Sequence, residues 1–361
     1  IFVFKFYIFV TINLSLVSPS MSKGNKITIH DISKALNIDS STVSRALNNS
    51  PRVSVKTREK IQKKATELGY QRNSLASNLR TNRTNTIGVI IPRIARHFFA
   101  TVIAGIEETA YEEGYNVVIC QSLESLDREI KIMNSLASNR VDGILISTSM
   151  ETSKFDHIKS YLENNNPVVF IDRPSEAFPE CSNISIDNFK ASYDATKLLI
   201  EKGRKHIAHF SGPQNIGLYK ERTEGYMSAL QEHNISINKN YIFESILSEE
   251  DGISCAKKLL EYPEIDGLYS ANDTAAISAI QYLKTKGIQI PKQIAVIGFN
   301  NDPISEVIEP SLTTIHQPGF EMGKLATEIL VHQIKNKSDK GIHHSKILVP
   351  ELIIRKSSEN E

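Results

Sequence analysis

Cysteine is scarce in this chain: Cys120, Cys181 and Cys255 are an odd number with no paired spacing. That excludes a disulfide framework or a cysteine zinc site, suits a reducing, cytoplasmic compartment and leaves all three as packing residues. Catalytic and cofactor signatures are also missing. There is no Gly-x-Gly-x-x-Gly fingerprint, no Gly-x-Ser-x-Gly elbow and no cluster of metal ligands. The run Gly212-Pro213-Gln214-Asn215-Ile216-Gly217 opens like a phosphate loop, but Leu218-Tyr219 stand where Lys and Ser/Thr are required. An enzyme is therefore disfavoured, and no cofactor or metal is expected. Past the N-terminus no apolar stretch reaches membrane-spanning length without a charge, so no membrane partner is expected. Internal repeats, low-complexity segments and a leucine heptad at the C-terminus are absent too.

What is present is unevenly distributed. Residues 21–84 hold 13 Lys and Arg against 4 Asp and Glu, a net charge of +9, whereas residues 85–361 carry a net −9. A small basic module on an acidic body points to a polyanion as the module's partner. Residues 1–20 are apolar and aromatic, with Lys5 their one charge. They could pass for a signal peptide or anchor. The sequence Met21-Ser22-Lys23 directly before the basic module reads instead as an ordinary translation start, making 1–20 an upstream or disordered extension.

Three short helices are expected between Thr28 and Tyr70. Apolar residues fall at helical spacing in Ile29, Ile32, Leu36, in Val43, Leu47, and in Ile61, Ala65, Leu68. Thr28, then Asp39 or Ser40, then Ser54 supply capping oxygens, and the short turn Asn37-Ile38-Asp39 has the spacing of a helix-turn-helix. The domain limits that follow are 27–72 for the helix-turn-helix, 73–85 for a short hinge helix and linker, and 86–361 for the body. In the body, apolar runs at Ile87 to Ile91, Val117 to Ile119, Gly143 to Ile146, Val168 to Ile171, Ile207 to Phe210, Gly267 to Tyr269 and Ile294 to Ile297 alternate with amphipathic stretches. Strands this continuously apolar suit doubly wound parallel sheets. A body of this size suits two α/β lobes with a ligand cleft between them, given roughly 100–200 residues per domain.

The segments Ile29-His30-Asp31-Ile32-Ser33, Asp39 to Asn48 with its Thr42-Val43-Ser44-Arg45, Val53 to Lys60 and Leu68-Gly69-Tyr70 closely resemble the lactose-repressor and purine-repressor (LacI/GalR) family of bacterial transcription regulators. Further matches run through Asn73 to Leu79, Ile171-Asp172-Arg173, Ser270-Ala271-Asn272-Asp273 and Leu312 to Pro318. The resemblance covers residues 27 to about 355. It implies a repressor that binds a palindromic operator as a homodimer through the helix-turn-helix, with a periplasmic-binding-protein-like body that binds a small effector, a mono- or oligosaccharide. Arg204 replaces the family's usual His, and Asn300-Asn301 its usual acidic pair.

A helix entering the major groove reads bases from its N-terminal end, which here carries Ser40, Ser41, Thr42, Ser44 and Arg45. Arg45 has the best chemistry for guanine. Ser40 and Ser41 match the family's specificity positions. Thr28, Ser54, Thr57 and Asn73 are candidate phosphate donors, Thr57 and Asn73 with the family's support. Leu75, Ala76 and Leu79 form the apolar face of the hinge helix, and the resemblance implies that Leu79 wedges into the minor groove. For the effector it implies the charged pair Arg222 and Asp273, while Phe98 and Phe99, following the first strand, suit stacking on a sugar ring. A periplasmic sugar-binding protein would share the two-lobed body and explain an apolar N-terminus. It would leave residues 27–80 without a purpose.

Overall fold

The computed structural model describes residues 27–70, 83–336 and 345–359. The chain divides into two compact units, 1–80 and 81–361, a boundary inside the stretch read as hinge and linker. The expected hinge residues Asn73, Leu75, Ala76 and Leu79 lie outside the described residues.

The small unit contains α1 (Ile29–Leu36), α2 (Ser40–Leu47) and α3 (Val55–Glu67). Each starts on a polar side chain. The Thr28 backbone N–H donates to the Asp31 carboxylate at 2.8 Å, Asp39 accepts the Ser41 N–H at 2.8 Å, and Ser54 accepts that of Thr57 at 3.3 Å. Asn37 ends α1 in the left-handed region at φ 51°, which turns the chain sharply into α2. Ile32, Val43, Ala46 and Ile61 are fully buried and form one core with Val53 and Ala65.

The large unit holds two six-stranded sheets among the described residues. The first lobe runs β1 (Thr86–Ile91), α4 (His97–Glu112), β2 (Asn116–Gln121), α5 (Leu126–Ser138), β3 (Gly143–Ile146), α6 (Asp156–Glu163), β4 (Val168–Ile171) and β5 (Ser182–Ile186). The second adds α7 (Asn188–Glu201), β6 (Ile207–Ser211), α8 (Gly217–Glu232), β7 (Ile242–Glu244), α9 (Glu249–Leu259), β8 (Gly267–Ser270), α10 (Asp273–Thr285), β9 (Ala295–Asn300), α11 (Ile304–Val307) and β10 (Thr313–His316). The chain then returns to the first lobe with α12 (Gly319–Lys335) and β11 (Ser345–Leu348), and ends in the second with β12 (Glu351–Ile353). Strand orders are β11-β5-β4-β3-β1-β2 and β12-β10-β9-β8-β6-β7, all parallel except β12, which pairs antiparallel with β10.

Inner strands such as β1, β3 and β4 are apolar on both faces because helices cover both, and their residues are buried almost throughout. The helix layers are held very close. A Cβ placed on Gly105 of α4 would stand 2.1 Å from the Phe320 carbonyl oxygen of α12, and one on Gly323 would stand 2.1 Å from that of Val102. Only glycine allows backbones to meet so closely. The second lobe repeats the device with Gly225 of α8 against the carbonyl of Phe189 in α7.

Candidate nucleic-acid interface and ligand cleft

On α2, Ser41 and Arg45 are exposed four residues apart, hence on one face, while Val43 and Ala46 anchor the opposite face in the core. Thr42 and Ser44 are half-buried. Ser40 is also half-buried, and its hydroxyl lies 3.2 Å from both Ser33 Oγ and His30 Nδ1. Of the five base-reading candidates, Ser41 and Arg45 are the two that stand free of the module. Among the phosphate candidates, Thr28 turns its hydroxyl onto Asp31 at 2.8 Å, and Ser54 and Thr57 share a hydrogen bond of 2.9 Å.

Between the lobes lies a cavity of about 890 Å³, within the range that takes small ligands. Phe98 and Phe99 line it, both nearly buried, with ring centroids 5.1 Å apart in an edge-on pair. Arg222 lines the opposite wall. Its Nε donates to Asn188 Oδ1 at 2.9 Å, its Nη1 donates to the Ala271 carbonyl at 2.8 Å, and its guanidinium sits 3.5 Å over the Phe299 ring. Burial pulls its pKa below the ordinary arginine value.

Asp273 does not join it. The carboxylate is fully buried behind the wall, where Oδ1 accepts the Thr314 hydroxyl at 2.6 Å and Oδ2 the Asp302 N–H at 2.8 Å. The expectation that Asp273 and Arg222 face a ligand together is corrected for Asp273. The reason is local: Gly298 of β9 has no side chain, and the carboxylate occupies that space, since a Cβ there would lie 2.1 Å from Oδ1. Desolvation pushes the Asp273 carboxyl up to about 7.

Other cleft groups carry weaker sequence signals. Asp172 and Arg173, quoted above as motif residues without a role, both line the cavity. Arg173 grips the Glu124 carboxylate through both terminal nitrogens at 2.8 and 3.0 Å and donates to the Thr148 carbonyl at 2.6 Å. Asp172 sits at φ 68°, unusual for a residue with a side chain, and burial raises its carboxyl above the ordinary range. Across the cleft, the Arg96 guanidinium of the first lobe donates to the Thr274 hydroxyl of the second. Asn300 and Gln317 also line it. Asn300-Asn301 had signalled only a departure from pattern, and both have positive φ, 113° and 54°. The other departure, Arg204, donates to the Pro291 carbonyl at 2.6 Å and so anchors a loop of the second lobe.

A family model described as bacterial regulatory proteins, lacI family, matches residues 28–73, and one for periplasmic binding proteins and the sugar-binding domain of the LacI family matches 84–356. The chain belongs to the LacI family. The HTH-type transcriptional repressor PurR of Haemophilus influenzae (strain PittEE) is 33% identical over 91% of this chain and 98% of its own. A solved complex of the transcriptional regulator CelR with cellobiose is 26% identical, with TM-score 0.71 over 92% of this chain and 99% of that one. The lac repressor dimer bound to operator and the anti-inducer ONPF, 24% identical with TM-score 0.81 over 92% and 99%, has the same fold. This LacI-family protein is thus a DNA-binding transcription regulator with a small-molecule-binding body, and not an enzyme. The match over 28–73 removes the periplasmic binding protein as an alternative. No helix among the described residues is long and apolar enough to cross a membrane.

Proposed function

We propose that the protein represses transcription by binding a palindromic operator as a dimer, and that a sugar bound in the cleft changes its DNA affinity. The observation that carries this reading is one chain holding both a helix that exposes Ser41 and Arg45 and a cleft built from aromatic rings and paired charges. Carboxylates, guanidinium groups and aromatic faces are the partners that hydroxyls and sugar rings require. The cellobiose of the CelR complex supports the same class of ligand.

Arg222 and the pair Phe98 and Phe99 bind the effector directly in this reading, and Asp273 acts from behind by holding β9 to β10. The hinge helix expected from the sequence, with Leu75, Ala76 and Leu79, lies outside the described residues. A helix that short is marginal alone in water. It persists when two hinges and the DNA support one another, so a ligand that shifts the lobes lowers DNA affinity, and DNA lowers ligand affinity by the same factor.

The test is a duplex selected from a random library, titrated by fluorescence anisotropy with and without a panel of mono- and oligosaccharides. Selection of a palindrome, together with one sugar that shifts its affinity, is the expected result. Selection of asymmetric half-sites or indifference to every sugar would count against the dimer or the ligand class respectively.

A further inference from the structure

The hydroxyls at the helix-turn-helix form a relay with a fixed direction. The Ser33 hydroxyl lies 2.7 Å from the Ile38 carbonyl, which can only accept, so Ser33 spends its proton there. Ser40 Oγ stands 3.2 Å from Ser33 Oγ, and two oxygens at that distance attract only with a hydrogen between them. That hydrogen is the proton of Ser40. His30 Nδ1 stands 3.2 Å from the same Ser40 Oγ. With the Ser40 proton already given, this contact requires Nδ1 to carry a hydrogen and donate it. The relay therefore runs from His30 through Ser40 and Ser33 to the carbonyl of the turn. In a neutral His30 it places the hydrogen on Nδ1 and leaves the lone pair on Nε2.

The position of the ring makes that lone pair usable. His30 is exposed in the first turn of α1, and Ser40 is the first residue of α2. The imidazole thus stands beside the helix end that meets base edges, close to exposed Ser41. Its Nε2 has no hydrogen-bond partner among the described residues. A lone pair cannot bond a phosphate oxygen, so Nε2 needs a donor. In the major groove the base donors are the amines, adenine N6 and cytosine N4, whereas guanine and thymine show the acceptors O6 and O4.

We propose that His30 is a base-reading residue of the DNA interface, accepting through Nε2 from the exocyclic amine of an adenine or cytosine, and that Ser40 is the positioning residue that fixes its tautomer. The inference rests on the reading that the N-terminal end of α2 enters the major groove. It changes the role expected of Ser40, from reading a base with its own hydroxyl to setting what His30 reads. The module then holds complementary readers, since Arg45 can only donate and His30 accepts.

The test uses the full chain at about pH 8, which keeps the imidazole neutral. Wild type, His30→Phe, Ser40→Ala and Ser40→Thr each select duplexes from a random library, and all four are then titrated by anisotropy with the wild-type duplex and its single-base variants. Wild type should favour adenine or cytosine over guanine or thymine at one position of each half-site, by about tenfold. Phenylalanine keeps a ring and removes both nitrogens, so His30→Phe should lose that preference and keep those at other positions. Ser40→Ala leaves the imidazole hydrogen on either nitrogen, so the same preference should shrink to a few-fold at most. Ser40→Thr keeps the hydroxyl and should restore it. An equal loss on every duplex in His30→Phe would make His30 a phosphate contact, and an unchanged preference would make it no contact; either result overturns the proposal. If Ser40→Ala instead loses a preference at a different position, Ser40 reads a base itself and its positioning role is overturned. Selection of no sequence by wild type would bring down the reading of α2 together with the inference.

Discussion

Two buried titratable residues of the second lobe make the stability of the body depend on pH in opposite senses. His209 lies between the rings of Tyr226 and Tyr269, with centroids 5.0 and 4.8 Å away, and desolvation lowers its pKa to about 4. The unfolded chain binds that proton more readily, so the stability His209 contributes is full above its ordinary value of 6.5 and is lost as pH falls through 4. Asp273 behaves in reverse. Its carboxyl is raised to about 7, so its contribution is full below the ordinary 3.8 and is lost as pH rises through 7. Urea unfolding from pH 4 to 8 should show His209→Gln flattening the acid limb and Asp273→Asn flattening the alkaline one. An unchanged slope in either variant would mean that the residue does not titrate in its buried form.

At the scale of elements, the close crossing of α4 and α12 is the most sensitive contact in the first lobe. Gly105→Ala sets a methyl against the Phe320 carbonyl, where the obstacle is backbone and cannot swing aside. Overpacking of this kind costs ~1–3 kcal/mol or more, so the melting temperature of the body should fall by several degrees. An unaltered melt would show that the helices separate freely. The α2 helix makes a different prediction. Arg45→Ala should remove about 1–3 kcal/mol of discrimination for the selected duplex over one with the contacted guanine replaced, while leaving folding unchanged because Arg45 is exposed. Equal losses on both duplexes would reduce Arg45 to a phosphate contact.

For the whole molecule, the charge division between module and body predicts how DNA binding responds to salt. With a net +9 in residues 21–84 and −9 in the remainder, phosphate contacts should come from the small unit, helped by exposed Lys34, Arg52, Lys56 and Lys60. A dimer neutralising several phosphates should lose roughly 10³-fold or more in affinity between ~50 and ~200 mM salt. Affinity that barely moved over this range would rule out counterion release as the main source of binding. The acidic body repels DNA and should bind none when produced without residues 1–84.

Sequence alone carried the class of this protein, its module and most of its strands, because those depend on short-range patterns. Capping residues one turn from apolar repeats define α1 to α3, and continuous β-branched runs define β1, β3 and β4, whichever partners they later find. The edge strands β11 and β12 gave no such signal. They are largely exposed, and pairing with β5 and β10, far away in sequence, is what makes them strands. The cleft divides in the same way. Arg222 was legible by motif and Phe98 and Phe99 by their place after the first strand, and all three line the cleft. Asp273 in an equally clear motif turns inward, where the space left by Gly298 takes its carboxyl and the donors of Thr314 and Asp302 satisfy its oxygens at the cost of desolvation. Gln317 was one letter in Leu312 to Pro318. That its oxygen finds no partner among the described residues depends on Asn300 claiming the nitrogen and on a lobe crossing that buries the rest. Such facts belong to the tertiary structure, because hydrogen-bond satisfaction in a buried site is settled by which distant groups arrive there, and no local pattern encodes their arrival.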